Sequence, residues 1–348
     1  MYKMLMFLNF AVMFSMGMTT GIAAAPDAQV VEYERRLEEW KRADTAHQAL
    51  SDAYWRAMRA ARARGEYVRT HPPRYAGPAK PVHPTKVDPV TVSTIPKKEV
   101  FLQAIRDVYG FIPGEATEQE FKKNYAREAL KAGLVPEHVV KVYAFETGGN
   151  GAYDLQPMGK NGPISTALGY AQLLNANSVI ILAQHGQRFA RELDEAGKTV
   201  KAGVVRQMAR DASRVSGGWA AFQTFTKTPS GRAMHAMNLD IDVGPKMQMQ
   251  KLRDIVHAAR RGGHEALTPA QLELLNLAGE ENGLLMLRSE LAEYPTANFF
   301  ARDGYEANPV VHERTAAQLL ARIDELMTRW VLRPGAQEFR AAFDALQN

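Results

Sequence analysis

From residue 98 onward, apolar positions recur at three- and four-residue spacing in segment after segment, and alternating strand patterns are nearly absent. The first stripe is Phe101, Ile105 and Val108, ended by Gly110. Thr117-Glu-Gln-Glu120 has the form of a capping box and opens a helix through Leu130, closed by Gly133. Pro136 suits a first helical position and starts the segment that leads to Glu146. Asn177-Ser178 reads as the cap of a helix running toward Glu195. Helical patterns follow at 199–215, 252–259, 268–277 and 315–330, the last with Leu319, Leu320, Ile323 and Met327 on one face. The pattern predicts a mainly α fold.

Before residue 98 the pattern changes twice. Residues 26–69 form a charged helical segment, with Val30, Tyr33, Leu37, Trp40, Leu50, Tyr54 and Met58 near helical spacing. It reads either as a helix packed on the main domain or as a coiled-coil stub that recruits an envelope partner through residues 27–66. Residues 70–97 scatter prolines (72, 73, 78, 81, 84, 89 and 96) through a stretch poor in large aliphatics, the composition of a semi-rigid linker. A domain boundary near residue 97 leaves 98–348 as the main domain, with a helical C-terminal extension. Residues 1–25 look like an export signal: Lys3, an apolar run from Met4 to Met18, then Gly21-Ile-Ala-Ala-Ala25 for cleavage. Uncleaved, the same stretch approaches a spanning length and would anchor the chain in a membrane. Either way the body of the protein is expected outside the cytoplasm, in the periplasm or secreted.

Composition narrows the chemistry. The chain has 348 residues, 46 % of them apolar, enough for a sizeable core. Zero cysteines exclude disulfides, thiolate metal sites and a cysteine nucleophile. The net charge of +5 is modest and scattered, which suits an anionic polymer and implies no nucleic-acid partner. None of the nine histidines forms His-Glu-x-x-His, and no phosphate loop, dinucleotide fingerprint or Gly-x-Ser-x-Gly elbow occurs, so no metal and no cofactor is expected.

What remains is a carboxylate beside glycines, Tyr143-Ala-Phe-Glu-Thr-Gly-Gly-Asn-Gly151. On a helix from Pro136, Val139, Val142, Tyr143 and Glu146 share one stripe, so Glu146 points inward from the last turn. Burial beside Phe145 and Tyr143, and the negative end of the helix dipole, both raise a carboxyl's pKa. An acid kept protonated near neutral pH is what general-acid cleavage of a glycosidic bond requires. Gly148, Gly149 and Gly151 would leave side-chain-free space for a bulky substrate. The other reading makes Glu146 a solvated helix-end residue before an ordinary glycine cap. Trp219, Phe222 and Phe225 read as core aromatics or as a sugar-stacking strip, and Asn298-Phe-Phe-Ala-Arg-Asp-Gly-Tyr305 as a loop near the cleft.

Some twenty residues after Glu146 come Ser165, Ala167 and Gly169-Tyr-Ala-Gln-Leu-Leu174. Together these stretches resemble the soluble-type lytic transglycosylases, which are lysozyme-like. That family has Glu-Ser at the catalytic acid and then a Ser-x-x-Gly-Ala-x-Gly-Leu-Met-Gln block. Here Thr147 stands for the Ser, Tyr170-Ala171 for Leu-Met, and Asn175 for the Pro that follows. The resemblance covers about residues 120–185. The family's later Tyr-Asn-Ala-Gly has its nearest counterpart in Leu275-Asn-Leu-Ala-Gly279, with Asn276 where the Tyr would be. Tyr170, Tyr294 and Tyr305 are candidates for the missing phenol.

The resemblance implies a lysozyme-like helical domain that cleaves the β-1,4 bond between N-acetylmuramic acid and N-acetylglucosamine of peptidoglycan strands. Glu146 would be the single general acid and base, and the product would carry a 1,6-anhydro ring. Thr147 or Ser165 would orient the acid, and Gly169, Tyr170 and Gln172 would hold the sugars. If Asp154, Asp240 or Asp242 faced Glu146 across the cleft, hydrolysis by a muramidase would fit better. A non-catalytic wall-binding or scaffold protein is the further alternative.

Overall fold

The computed structural model describes residues 28–85 and 93–347; the expected export signal of residues 1–25 lies outside the described residues, as does part of the proline-rich stretch. Among the described residues the protein is mainly helical, with fourteen α-helices and one two-stranded hairpin. In order these are α1 (Ala28–Ala63), α2 (Lys98–Tyr109), α3 (Glu118–Lys131), α4 (Pro136–Thr147), the hairpin of β1 (Met158–Gly159) and β2 (Gly162–Pro163), α5 (Asn175–Glu195), α6 (Thr199–Ser213) and α7 (Gly218–Phe225). Then come α8 (Pro229–Ala236), α9 (Val243–Arg261), α10 (Pro269–Ala278), α11 (Glu280–Met286), α12 (Arg302–Ala307), α13 (Ala316–Trp330) and α14 (Pro334–Gln347). No helix among the described residues is long and apolar enough to cross a membrane.

The caps follow from local chemistry. Thr117, Thr268 and Thr315 each close a full capping box, with Glu120, Gln271 and Gln318 bonding back. Asn177-Ser178 is not a cap, contrary to expectation. The helix α5 starts at Asn175, whose Oδ1 accepts the Ala176 N–H at 2.8 Å. Ser178 is instead fully buried, its Oγ 2.8 Å from His235 Nδ1. Helix α9 begins well before the 252–259 pattern because its first half buries Gln248 and Gln250, polar residues that interrupt the apolar stripe.

The chain divides into two compact units. In the first, residues 75–83 of the proline-rich stretch run back along the start of α1. Tyr33 meets His83 at 4.5 Å between ring centroids, the Lys80 ammonium sits 5.6 Å from the Trp40 ring, and Tyr75 meets His47 edge-on at 5.4 Å. These pairs climb α1 while descending the proline stretch, so the two segments are antiparallel.

The second unit, 49–74 with 89–348, holds two apolar cores. The first draws on α3, α4, α10, α13, α14 and the end of α9. The second draws on α2, α5, α6, α8 and the start of α9. Helix α9 thus spans both, with Val243 and Met247 in one core and Met249, Leu252 and Ile255 in the other. The turn at 168–173 does the same: Leu168 and Leu173 belong to the second core, Tyr170 to the first.

The later part of α1 also enters the first core, through Trp55 and Met58. The stretch from Asn298 to Tyr305, expected as a loop near a cleft, is the receptor for it. Trp55 packs on the Tyr305 ring at 5.5 Å, and Arg62 donates to the carbonyls of Ala297 and Phe300. Asn298 accepts the Val68 N–H at 2.7 Å and donates to the Val68 carbonyl at 2.8 Å, as a neighbouring strand would. Trp55→Ala should therefore cost about 3–5 kcal/mol of unfolding free energy in urea melts. A loss below about 1 kcal/mol would mean that this part of α1 is not part of the core.

Candidate active site

Helix α4 carries Glu146 one residue before its end. Val139, Val142 and Tyr143 on the same stripe are 1 % exposed, which turns Glu146 inward as the spacing predicts. Gly148 at φ 63° and Gly149 at φ 77° then stop the helix in the left-handed region that glycine tolerates best. The expected open space over the glycines is largely filled. A Cβ on Gly149 would lie 2.3 Å from the Trp330 carbonyl oxygen. The Gly149 carbonyl accepts the Ala336 N–H at 2.9 Å, Asn150 Oδ1 accepts the Gly335 N–H at 2.9 Å, and Tyr143 donates to the Gly151 carbonyl at 2.9 Å. These glycines let the end of α4 dock on the start of α14. Only Gly148 faces open space.

Glu146 has two partners on α10. The Asn276 amide donates to Glu146 Oε1 at 2.8 Å, and Glu273, one turn earlier, brings its carboxyl beside that of Glu146. Glu273 is fully buried, and neither of its oxygens accepts a well-formed bond from any other donor. Glu146 is half-buried as a residue, and its carboxyl is packed round by protein.

Burial raises the Glu146 pKa to about 7, although the bonds from Glu273 and Asn276 pull the other way. Glu273 is raised well above the ordinary range, first by burial, then by the negative charge of Glu146 and the hydrogen bond to it. Tyr125 on α3 is also near enough for its ionisation to be opposed by Glu146, with burial the larger cause, so its phenol stays protonated. It donates to Gln248 Oε1 at 3.3 Å.

Each of the residues expected to bind sugar makes a contact within the fold. Tyr170 has no exposed surface: its ring packs 4.7 Å from Tyr143 and 5.3 Å from Tyr125, and its hydroxyl donates to Glu118 at 2.6 Å. Gly169, at φ 80°, is required because a Cβ there would meet Gln248 Nε2 at 2.3 Å. The Gln248 Oε1 accepts the Ala171 N–H at 2.9 Å, which pins the turn to α9. Gln172 has φ 43° and donates its amide to the Gly169 carbonyl at 2.7 Å, inside its own turn. Ser165 Oγ accepts the Ala167 N–H at 3.0 Å, and Thr147 Oγ1 donates to the Tyr143 carbonyl at 2.7 Å. Among the described residues neither bonds to Glu146. Through Tyr170 the turn packs against Tyr143 of α4.

Asp154 pairs with Lys98, and Asp242 with Lys198 and Lys201. Asp240 is fully buried and accepts from Lys201 at 2.8 Å and from the Gly114 N–H at 2.8 Å. None of the three meets Glu146. Tyr294 packs on Tyr67 and Arg69, and the Tyr305 hydroxyl accepts the Glu313 N–H at 3.0 Å, so neither phenol is at the acid. Phe222 and Phe225 pack against the second core, while Trp219 is 45 % exposed. Glu273 was missed. Its signal was an acid inside Leu272-Glu-Leu-Leu275, three residues before Asn276 and so on the same helical face.

The raised Glu146 pKa has a sign that can be checked. The folded state holds the proton more tightly than the unfolded chain, so stability is fully present below about pH 4.5 and falls as pH rises toward about 7. Glu146→Gln removes that loss. The variant should exceed the wild type by roughly 2 kcal/mol at pH 8 in thermal or urea melts, with the gap closing by pH 4.5. A variant less stable at pH 8 than at pH 5, relative to wild type, contradicts the raised pKa.

No protein-family model, curated protein or solved structure gives a significant match to the chain, so its function is read from this site itself.

Proposed function

We propose that the protein is an exported peptidoglycan lytic transglycosylase with a lysozyme-like domain, Glu146 being its one general acid and base. The observation that carries this reading is a carboxyl at the end of a core helix, on a residue that keeps part of its surface exposed, held by Asn276 at 2.8 Å and kept protonated near neutral pH by burial. The stretch 275–279, which resembles the family's third element, comes back to the acid through Asn276, and this supports the reading.

In the reaction, Glu146 gives its proton to the glycosidic oxygen as the bond from that oxygen to the muramyl C1 breaks. The carboxylate formed then takes the proton of the muramyl 6-hydroxyl as its oxygen closes on C1. Glu146 ends protonated, no water is consumed, and no metal or cofactor is required. The two-carboxylate alternative is less well supported. Hydrolytic glycosidases hold their carboxyls about 5–9.5 Å apart with the sugar or a water between them. Glu273 touches Glu146 and is fully buried, which leaves no room for either.

The test is product analysis by mass spectrometry after incubation with purified cell-wall sacculi. The wild type should release anhydro-muropeptides, and Glu146→Gln should release them about 10²–10⁴-fold more slowly. Reducing-end muramic acid would instead identify a muramidase. Saturable binding without products, equal in both forms, would identify a wall-binding or scaffold protein.

A further inference from the structure

Glu273 has no role in the mechanism above. It lies on α10 with both carboxyl oxygens out of contact with water and without a well-formed donor, beside the carboxyl of Glu146 and the amide of Asn276. A buried carboxylate with no cation and no strong donor is too costly to persist, whereas the neutral acid needs only one acceptor for its O–H. Glu146 is that acceptor. Asn276, one turn along α10, bonds the same carboxyl at 2.8 Å, so two donors from one helix face fix the orientation of the acid. The other ionisable side chain coupled to the pair is Tyr125 on α3, itself protonated; Gln248 of α9, which faces Tyr125, carries no charge.

We propose that Glu273 is a positioning residue: as the neutral acid it donates a hydrogen bond to Glu146 throughout the reaction cycle. This rests on the transglycosylase reading. When Glu146 passes its proton to the glycosidic oxygen, its carboxylate is left at the edge of a dry site. The Glu273 O–H then becomes a charge-assisted bond to that carboxylate, shorter and stronger than before. When Glu146 recovers a proton from the 6-hydroxyl, the bond relaxes. Glu273 begins and ends protonated, and its own proton is never transferred. It thus stabilises the charge that develops on the acid, which an apolar residue in its place would not do.

Two arms test this. In the first, anhydro-muropeptide release is followed against pH for wild type, Glu273→Gln and Glu273→Leu. Loss of the donor makes Glu146 a weaker acid. Glu273→Leu should therefore lower kcat at least tenfold and move the alkaline limb of the profile to higher pH. Glu273→Gln, which keeps a donor, should stay nearer to wild type in both. A limb that moves to lower pH, or stays put in both variants, overturns the proposal, because the first outcome means that Glu273 was ionised and the second that it does not act on Glu146. In the second arm, difference infrared spectra of wild type against Glu273→Gln are taken at pH 8. A protonated-carboxyl band present in wild type and lost in the variant supports the proposal; its absence from the wild type overturns it. If the wild type makes no anhydro product at all, the transglycosylase reading fails, and the infrared arm still decides the protonation of Glu273.

Discussion

The site depends on a contact that proteins usually avoid: two carboxyl groups, Glu146 and Glu273, held together away from water. Both cannot be ionised there, since each burial alone is costly and the mutual repulsion adds to it. The pair therefore retains at least one proton over the neutral range. Because Glu146 is half-buried as a residue and Glu273 is fully buried, the two are not equivalent: Glu273 can act only through its neighbour. That asymmetry turns a pair of acids into a single working acid with a fixed support.

The rest of the second unit holds the two helices in register. The carboxyls sit on α4 and α10, and both helices pack with α13 in the first core. At its far end α4 is clamped by the glycines at 148–151 against the start of α14, which fixes how deep Glu146 reaches. Below it, Tyr143, Tyr170, Tyr125 and Phe339 form an aromatic cluster whose centroids lie 4.7–5.7 Å apart. Tyr170 enters that cluster from a turn whose flanking leucines belong to the second core. The turn therefore ties the floor of the site to the second core, and Gln248 on α9 locks it by accepting the Ala171 N–H.

Much of this was legible in the chain because it is local. Helical spacing put Glu146 on the stripe of Val139, Val142 and Tyr143, and the Thr117–Glu120 capping box marked one helix start. What was not legible depends on contacts far apart in sequence. The glycines after Glu146 look like open space in a sequence, yet Gly149 closely approaches Trp330 and Gly335, and Gly151 leaves no room beside Thr147 and Leu155. Gly169, Tyr170 and Gln172 form a motif that implies a binding wall, yet Tyr170 is buried in the core and the Gln172 amide bonds within its own turn. Glu273 was hidden for a similar reason: in an amphipathic helix a lone acid usually faces water, and only its pairing with a residue on α4 shows that it faces inward. The proline-rich stretch has the composition of a spacer, but its aromatic and cationic contacts to Tyr33, Trp40 and His47 on α1 fold it back.

The central claim is that Glu146 is a carboxylic acid still protonated near neutral pH, and it can be read without any substrate. Carboxyl carbons labelled with ¹³C in glutamate would be followed by NMR through a pH titration, with the Glu146 signal assigned by its loss in Glu146→Gln. A midpoint near 7 is predicted. A midpoint at the ordinary glutamate value near 4.5 would contradict the account, because Glu146 would then be ionised at the pH where it must give a proton.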